Sequence, residues 1–248
     1  MFAPRSSGSR PAIVGHRGAS GHRPENTLAS FALAAELGAD LVECDVHLSA
    51  DGVPVVIHDD TLDRTTSGRG PVTARTLAEL KTLDAGLGET VPTLDELLTW
   101  CRDHLPLSIE IKNGPVYHRG LPDRVIELLR KHGMVERASV ISFDHLAVQR
   151  AKQLEPRLAA GVLFAARPVD APALARAAGA DILLPHWAFA TPELVEPAHA
   201  AGLTVSVWTV NDETALRAAL AAGVDAVATD YPDRIRAALS RSRGSGGC

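Results

Sequence analysis

The sequence predicts a single (β/α)8 barrel of TIM type with a small insertion after its second strand. Short β-type runs alternate with amphipathic helical stretches along almost the whole chain, which is the pattern of a parallel sheet. The β-type runs number eight, and a chain of 248 residues, 46% of them hydrophobic, can bury one large core. That length matches the roughly 250 residues typical of one α/β barrel, so two independent domains are not expected.

The strands are read at residues 12–16, 40–46, 107–112, 138–142, 160–164, 181–185, 204–208 and 225–229. Helices between them are marked at both ends. Thr93-Leu94-Asp95-Glu96 and Thr191-Pro192-Glu193 carry N-terminal capping signals, and Gly38, Gly133, Gly179, Gly202 and Gly223 stand where helices should stop. The repeated Gly-Ala-Asp or Gly-Val-Asp after a helix reads as a turn into the next strand.

Residues 54–58 break the alternation. They look like a strand, yet only residues 48–53 separate them from the second one, too few for a parallel crossover. A hairpin is expected, and a turn at Ala50-Asp51-Gly52 would bring His58 back to about the level of Glu43. Residues 60–92 then form a polar, Gly-rich insertion with one short helix near 76–83, a length seen in loops that cap sites. The barrel is expected over 12–239, with disordered segments at 1–11 and 240–248.

Composition excludes several classes. The net charge is −5, from 25 Lys and Arg against 30 Asp and Glu, and no basic surface suited to nucleic acid is evident. No apolar run approaches the roughly 18 residues of a membrane span, so stable membrane insertion is not expected. The first eleven residues lack the apolar core of a secretory signal, and the chain reads as soluble and cytoplasmic. Cys44, Cys101 and Cys248 give neither metal spacing nor a disulfide framework and read as free thiols. Oligomeric state leaves no mark in the sequence.

Chemistry concentrates at three strand ends. On an extended strand Glu43 and Asp45 share one face while Cys44 points to the other, so two carboxylates occupy one small space. Like charges that close call for a proton or a cation between them, and oxygen ligands suit a hard divalent metal. Glu110 and Lys112 repeat the geometry on the third strand, and His16 and Arg17 end the first. In a parallel barrel these ends open on one mouth. Arg17 offers a planar fork and Lys112 a point charge for phosphate oxygens; His16 and His58 suit general acid–base work near neutral pH. The remaining histidines, at 22, 47, 104, 118, 132, 145, 186 and 199, read as structural, with His47 set apart because it shares the face of Asp45.

Taken in order, His16-Arg17-Gly18, Pro24-Glu25-Asn26-Thr27, Glu43-Cys44-Asp45, His58-Asp59 and Glu110-Ile111-Lys112 closely resemble the motifs of the glycerophosphodiester phosphodiesterases. The similarity continues through Ser142-Phe143-Asp144, Val207-Trp208-Thr209-Val210-Asn211 and Thr229-Asp230-Tyr231-Pro232, covering about residues 12–236. The resemblance implies a TIM-type barrel with one divalent ion, Mg²⁺ or Ca²⁺, held by Glu43, Asp45 and Glu110. It also implies His16 and His58 as the acid–base pair, phosphate contacts from Arg17 and Lys112, and a glycerophosphodiester as the small-molecule substrate. Glu25 admits two placements: turned toward the substrate pocket beside a helix entry capped by Asn26, or within a purely structural turn. Trp208 either walls the pocket or packs the barrel. The rivals are a lysophospholipase D or phosphoinositide-type phospholipase on a related barrel, a Schiff-base aldolase using Lys112, and a binding protein without turnover.

Overall fold

In the computed structural model, which describes residues 9–244, eight parallel strands close into a barrel surrounded by helices, as the sequence predicts. The chain runs β1 (Ala12–His16), α1 (Leu28–Glu36), β2 (Leu41–Leu48), β3 (Pro54–Val56), α2 (Leu77–Leu80), α3 (Leu94–Asp103) and β4 (Leu107–Ile111). It continues through α4 (Leu121–Lys131), β5 (Ala138–Ser142), α5 (His145–Leu154), β6 (Ala159–Phe164), α6 (Ala171–Ala178), β7 (Ile182–Pro185) and α7 (Pro192–Ala200). Last come β8 (Thr204–Val207), α8 (Glu213–Ala222), β9 (Ala226–Thr229) and α9 (Pro232–Gly244). Pairing of β1 with both β2 and β9 closes the ring.

Residue alternation on each strand builds two layers. Val42, Cys44 and Val46 of β2 and Ile109 and Ile111 of β4 face outward into a core shared with Phe31, Leu97 and Ile126 of the helices. The second half of the barrel, centred on Val162, Leu183, Val205 and Val227, packs likewise against α6–α8. Burial of side chains this size, at roughly 1.5–3 kcal/mol each, drives the closure. Inside, Ile141, Leu163, Ile182 and Leu184 fill one side, while Glu43, Asp45 and Glu110 occupy the other.

The Gly-x-Asp turns do more than reverse the chain. Asp40, Asp181 and Asp225 each precede a strand, and each accepts a hydrogen bond from the backbone of the neighbouring one: from Ile13 at 2.8 Å, Ala160 at 3.0 Å and Val205 at 2.7 Å. The carboxylate thus satisfies an amide at the strand entrance and fixes the register of adjacent strands.

The hairpin forms as expected. β3 lies antiparallel on the end of β2, with Val46 opposite Val56 and Leu48 opposite Pro54, and Ile57 continues the pairing by donating to the Asp45 carbonyl at 3.0 Å. That register returns His58 to the mouth. The insertion departs from the expectation of a cap: its helix is confined to Leu77–Leu80, and it folds around its own small core of Val55, Leu62, Val72, Leu80 and Val91. With a nucleus of its own it sits beside the mouth and contributes no side chain to the wall of the main cavity.

Both terminal boundaries shift. Residues 1–8 and 245–248 lie outside the described ones, but Arg10 brackets the Asp40 carboxylate at 2.5 and 2.6 Å, so order begins before the predicted position 12. At the other end α9 runs through to Gly244 rather than stopping at 239. Ser240 is accommodated there by donating to the Arg236 carbonyl at 3.0 Å, a helical i−4 contact that a Ser-rich composition conceals.

Candidate active site

The turn after β1 positions the first two site residues. Arg17 adopts a left-handed backbone, φ 54°, and Gly18 follows at φ 85°. Such a conformation is held by its surroundings: the Arg17 carbonyl accepts from the Asn26 amide and the Ser30 hydroxyl, both at 3.0 Å. It aims the Arg17 amide at Glu43 Oε2, 3.0 Å away. A Cβ on Gly18 would lie 2.5 Å from the Ser30 backbone carbon, so the His-Arg-Gly run ends in glycine for a steric reason. Gly18→Ala should therefore cost about 3 kcal/mol or more, the sum of left-handed strain and overpacking, lowering Tm by roughly 6–12 °C. A thermal melt with unchanged Tm would contradict this close approach.

Glu43, Asp45 and Glu110 converge as the strand alternation predicted. They are 4%, 1% and 9% exposed, and one ligand oxygen from each lies within 4.8 Å of the others. Register explains the convergence, because Asp45 is the direct cross-strand neighbour of Glu110 in the β2–β4 pair. Burial, reinforced by the charges of Asp45 and Glu110, pushes the Glu43 carboxyl well above its usual range. Burial and then Asp45 push Glu110 up to about 7. Burial acts in the same sense on Asp45, but Arg17 and Lys112 outweigh it and hold that carboxyl down at about 2.

These residues fit a divalent ion. Glu43 Oε1 is buried without a hydrogen-bond partner, an orphaned carboxylate oxygen facing two other carboxylates. Three hard oxygens with a shared charge deficit are the donor set of Mg²⁺ or Ca²⁺. The cations present leave that deficit only partly filled. Lys112 Nζ lies 2.7 Å from Glu110 and 3.5 Å from Asp45, and Arg17 Nε lies 3.2 Å from Asp45. Although burial favours the neutral amine, Asp45 and Glu110 raise the proton affinity of Lys112. A Schiff-base nucleophile needs the opposite, which removes the aldolase reading.

The two histidines are held alike. His16 Nδ1 is 2.7 Å from Asp230 Oδ1, and His58 Nδ1 is 2.6 Å from Asp59 Oδ1. Both aspartates titrate below their usual range: hydrogen bonds with His16, Asn211 and Ser20 overcome burial at Asp230, and Arg64 is the largest influence at Asp59. An ionised carboxylate only accepts, so each ring donates from Nδ1 and keeps Nε2 for a substrate. Burial, ahead of the opposing Asp45 charge, lowers the proton affinity of His58. Both rings line one cavity of about 110 Å³ together with Arg17, Glu43, Glu110 and Lys112.

The other predicted residues divide. Trp208 serves both of its readings: it lines the cavity, donates from Nε1 to the Leu184 carbonyl at 2.9 Å and meets Phe143 edge-on at 5.4 Å. Glu25 does not line that cavity; its carboxylate accepts from Arg17 at 2.9 Å and from Arg64 at 2.7 and 2.8 Å. Asn26 is not the cap of α1. Thr27 takes that role, its hydroxyl accepting from the Ser30 amide, while Asn26, at φ 59°, grips Asp45 through Nδ2 at 2.8 Å. His47 is bonded to His118 at 2.8 Å and to the His58 carbonyl at 3.0 Å and does not line the cavity.

Sequence reasoning gave no role to Asp230, Asn211 or Arg64. Asp230 accepts from Ser20 at 2.9 Å and from Asn211 at 2.6 Å besides holding His16. Its signal was Thr229-Asp230 at the end of the last strand, beside the first in a closed barrel.

A buried mouth that sets two cations and two oriented imidazoles around an acidic triad suits a phosphate ester, and with the fold it defines a TIM-type barrel hydrolase. Residues 16–234 match the glycerophosphoryl diester phosphodiesterase family. A glycerophosphodiester phosphodiesterase of Caldanaerobacter subterraneus subsp. tengcongensis is 39% identical over 232 residues, covering 90% of this chain and 95% of that protein. Among solved structures, an Oleispira antarctica phosphodiesterase in complex with the product sn-glycerol-3-phosphate superposes with a TM-score of 0.84. It is 37% identical, over 93% of this chain and 97% of that one. A glycerophosphodiester phosphodiesterase of Agrobacterium tumefaciens gives a TM-score of 0.80 at 35% identity, over 92% and 100% of the two chains. The chain belongs to the glycerophosphoryl diester phosphodiesterase family.

Proposed function

We propose that the protein hydrolyses a glycerophosphodiester to glycerol 3-phosphate and an alcohol, with His16 and His58 as the acid–base pair. The observation that carries this is the placement of two aspartate-anchored histidines in the same cavity as a carboxylate triad and two cations. The product-bound relative supports the same substrate class. Glu43, Asp45 and Glu110 would hold Mg²⁺ or Ca²⁺, which supplies positive charge for the phosphoryl oxygens. Arg17 and Lys112 bind the same oxygens and orient the phosphorus between the rings.

Ser108, Ser139 and Ser206 line the cavity, but Ser139 donates to Ser108 at 3.0 Å, Ser20 donates to the Asp230 carboxylate, and among the described residues neither imidazole is hydrogen-bonded to a Ser or Cys that it could activate as nucleophile. The attacking oxygen is the 2-hydroxyl of the substrate's glycerol, adjacent to the phosphorylated carbon. One histidine takes its proton as the new O–P bond forms, and the other protonates the departing alkoxide as the old O–P bond breaks. Water then opens the cyclic phosphate with the two roles exchanged. A substrate lacking the 2-hydroxyl should bind comparably yet turn over at least about 100-fold more slowly, because the intramolecular advantage is gone. Rapid hydrolysis of that deoxy analogue would establish direct attack by water instead.

Glycerol 3-phosphate release from a panel of glycerophosphodiesters tests the activity itself. A second reading, lysophospholipase D, draws on the apolar side of the cavity, where Ile141, Leu163, Leu184, Phe143 and Trp208 could receive an acyl chain. Faster turnover of lysophosphatidylcholine than of glycerophosphocholine would select it. No described helix is long and apolar enough to cross a membrane.

A further inference from the structure

His58 and Arg17 stand on different elements, and one side chain from the insertion joins them. Arg64 donates from Nε to Asp59 Oδ2 at 2.7 Å and from Nη2 to Asp59 Oδ1 at 3.0 Å. The same guanidinium donates from Nη1 to Glu25 Oε2 at 2.7 Å and from Nη2 to Glu25 Oε1 at 2.8 Å. Asp59 Oδ1 also accepts from His58 Nδ1, and Glu25 Oε1 also accepts from Arg17. The charges therefore alternate along a continuous line: Arg17, Glu25, Arg64, Asp59, His58.

We propose that Arg64 is a positioning residue for the reaction assigned above: a double fork that fixes His58 through Asp59 and Arg17 through Glu25, coupling the proton-transfer group to the phosphate clamp. An isolated ion pair on a side chain as exposed as Arg64, at 48%, contributes little. Here the geometry is bidentate on both sides, and the two carboxylates share one cation. Only a planar guanidinium reaches both at once; a lysine ammonium must choose. Without Arg64, Asp59 is free to rotate about its side-chain bond and release Nδ1, and Arg17 can close fully onto Glu25, away from the phosphate. The insertion thus acts on the chemistry without entering the cavity.

The proposal rests on the function proposed above, so its test includes one readout independent of turnover. With metal-saturated protein and glycerophosphocholine, Arg64→Met should lower kcat by about 10- to 100-fold and raise KM, with Arg64→Lys recovering part of the loss. Free guanidinium ion should restore activity to Arg64→Met and not to Asp59→Asn. In kcat the double variant Arg64→Met/Asp59→Asn should lose less than the product of the two single losses, since either change breaks the His58 arm and only Arg64→Met breaks the Glu25–Arg17 arm as well. Independently, the downfield His58 Nδ1–H resonance in proton NMR should be slow-exchanging in the wild type and lost to exchange in Arg64→Met. A protected resonance in Arg64→Met, or kcat within about twofold of wild type there, or multiplicative losses in the double variant, would overturn it. If Arg64→Met fails to fold, Arg64→Lys carries the same test: wild-type kcat and an unchanged resonance would overturn the fork. Absence of turnover in the wild type with the resonance pattern intact would count against the substrate reading and leave the fork standing.

Discussion

Replacing either His16 or His58 with alanine should lower kcat by roughly 10²–10⁴-fold, the range expected when one proton transfer in the transition state is removed. Each ring lines the cavity and is oriented by its own aspartate, so with a phosphate bound as proposed neither would stand in for the other. Alanine at His104, which bonds the Trp100 carbonyl, or at His132, which pairs with Asp95, should leave kcat within about threefold of wild type, as these lie outside the cavity. Steady-state kinetics on the four variants decides the matter. Near-normal rates in His16→Ala or His58→Ala would leave that residue a structural role only.

The second large effect concerns the triad. Chelation should abolish turnover, and Mg²⁺ or Ca²⁺ should restore it. Glu43→Gln should lose metal affinity while remaining folded, because the amide keeps the shape of the side chain and still offers an oxygen to the Arg17 amide. Metal binding should also stabilise the fold, because the ion would offset repulsion among three buried carboxylates brought together only in the native state. At about 100 times Kd the linkage amounts to about 2.7 kcal/mol, or roughly 5–11 °C in Tm. Full activity after exhaustive chelation, or no thermal shift in saturating metal, would contradict the assignment.

Much of the fold is legible because the barrel is regular. Strand periodicity separates Glu43 and Asp45 from Cys44, and the short spacing between β2 and β3 demands the hairpin that returns His58. What escapes is side-chain recruitment across distance. Asp230 lies far from His16 in sequence and reaches it only because β9 closes on β1. Arg64 belongs to a polar stretch whose composition suggests a loop and nothing else, yet it is aimed by an insertion with its own apolar nucleus.

Local chemistry misleads where two residues compete for one role. Asn26 and Thr27 are both good helix caps, and only the left-handed backbone at Asn26, which directs its amide to Asp45, gives the cap to Thr27. The Gly-x-Asp repeats read correctly as turns, but the hydrogen bonds of Asp40, Asp181 and Asp225 to neighbouring strands follow only from the barrel's register. Glu25 likewise carries no sequence mark of the two arginines that hold it.

As proposed, this mouth should cleave a glycerophosphodiester at phosphorus and leave the phosphate on glycerol. ³¹P NMR of the metal-saturated wild-type protein with glycerophosphocholine measures it directly. Loss of the diester resonance and growth of glycerol 3-phosphate are expected, abolished by chelator and restored by metal. An unchanged diester, or phosphocholine appearing in place of glycerol 3-phosphate, would contradict it.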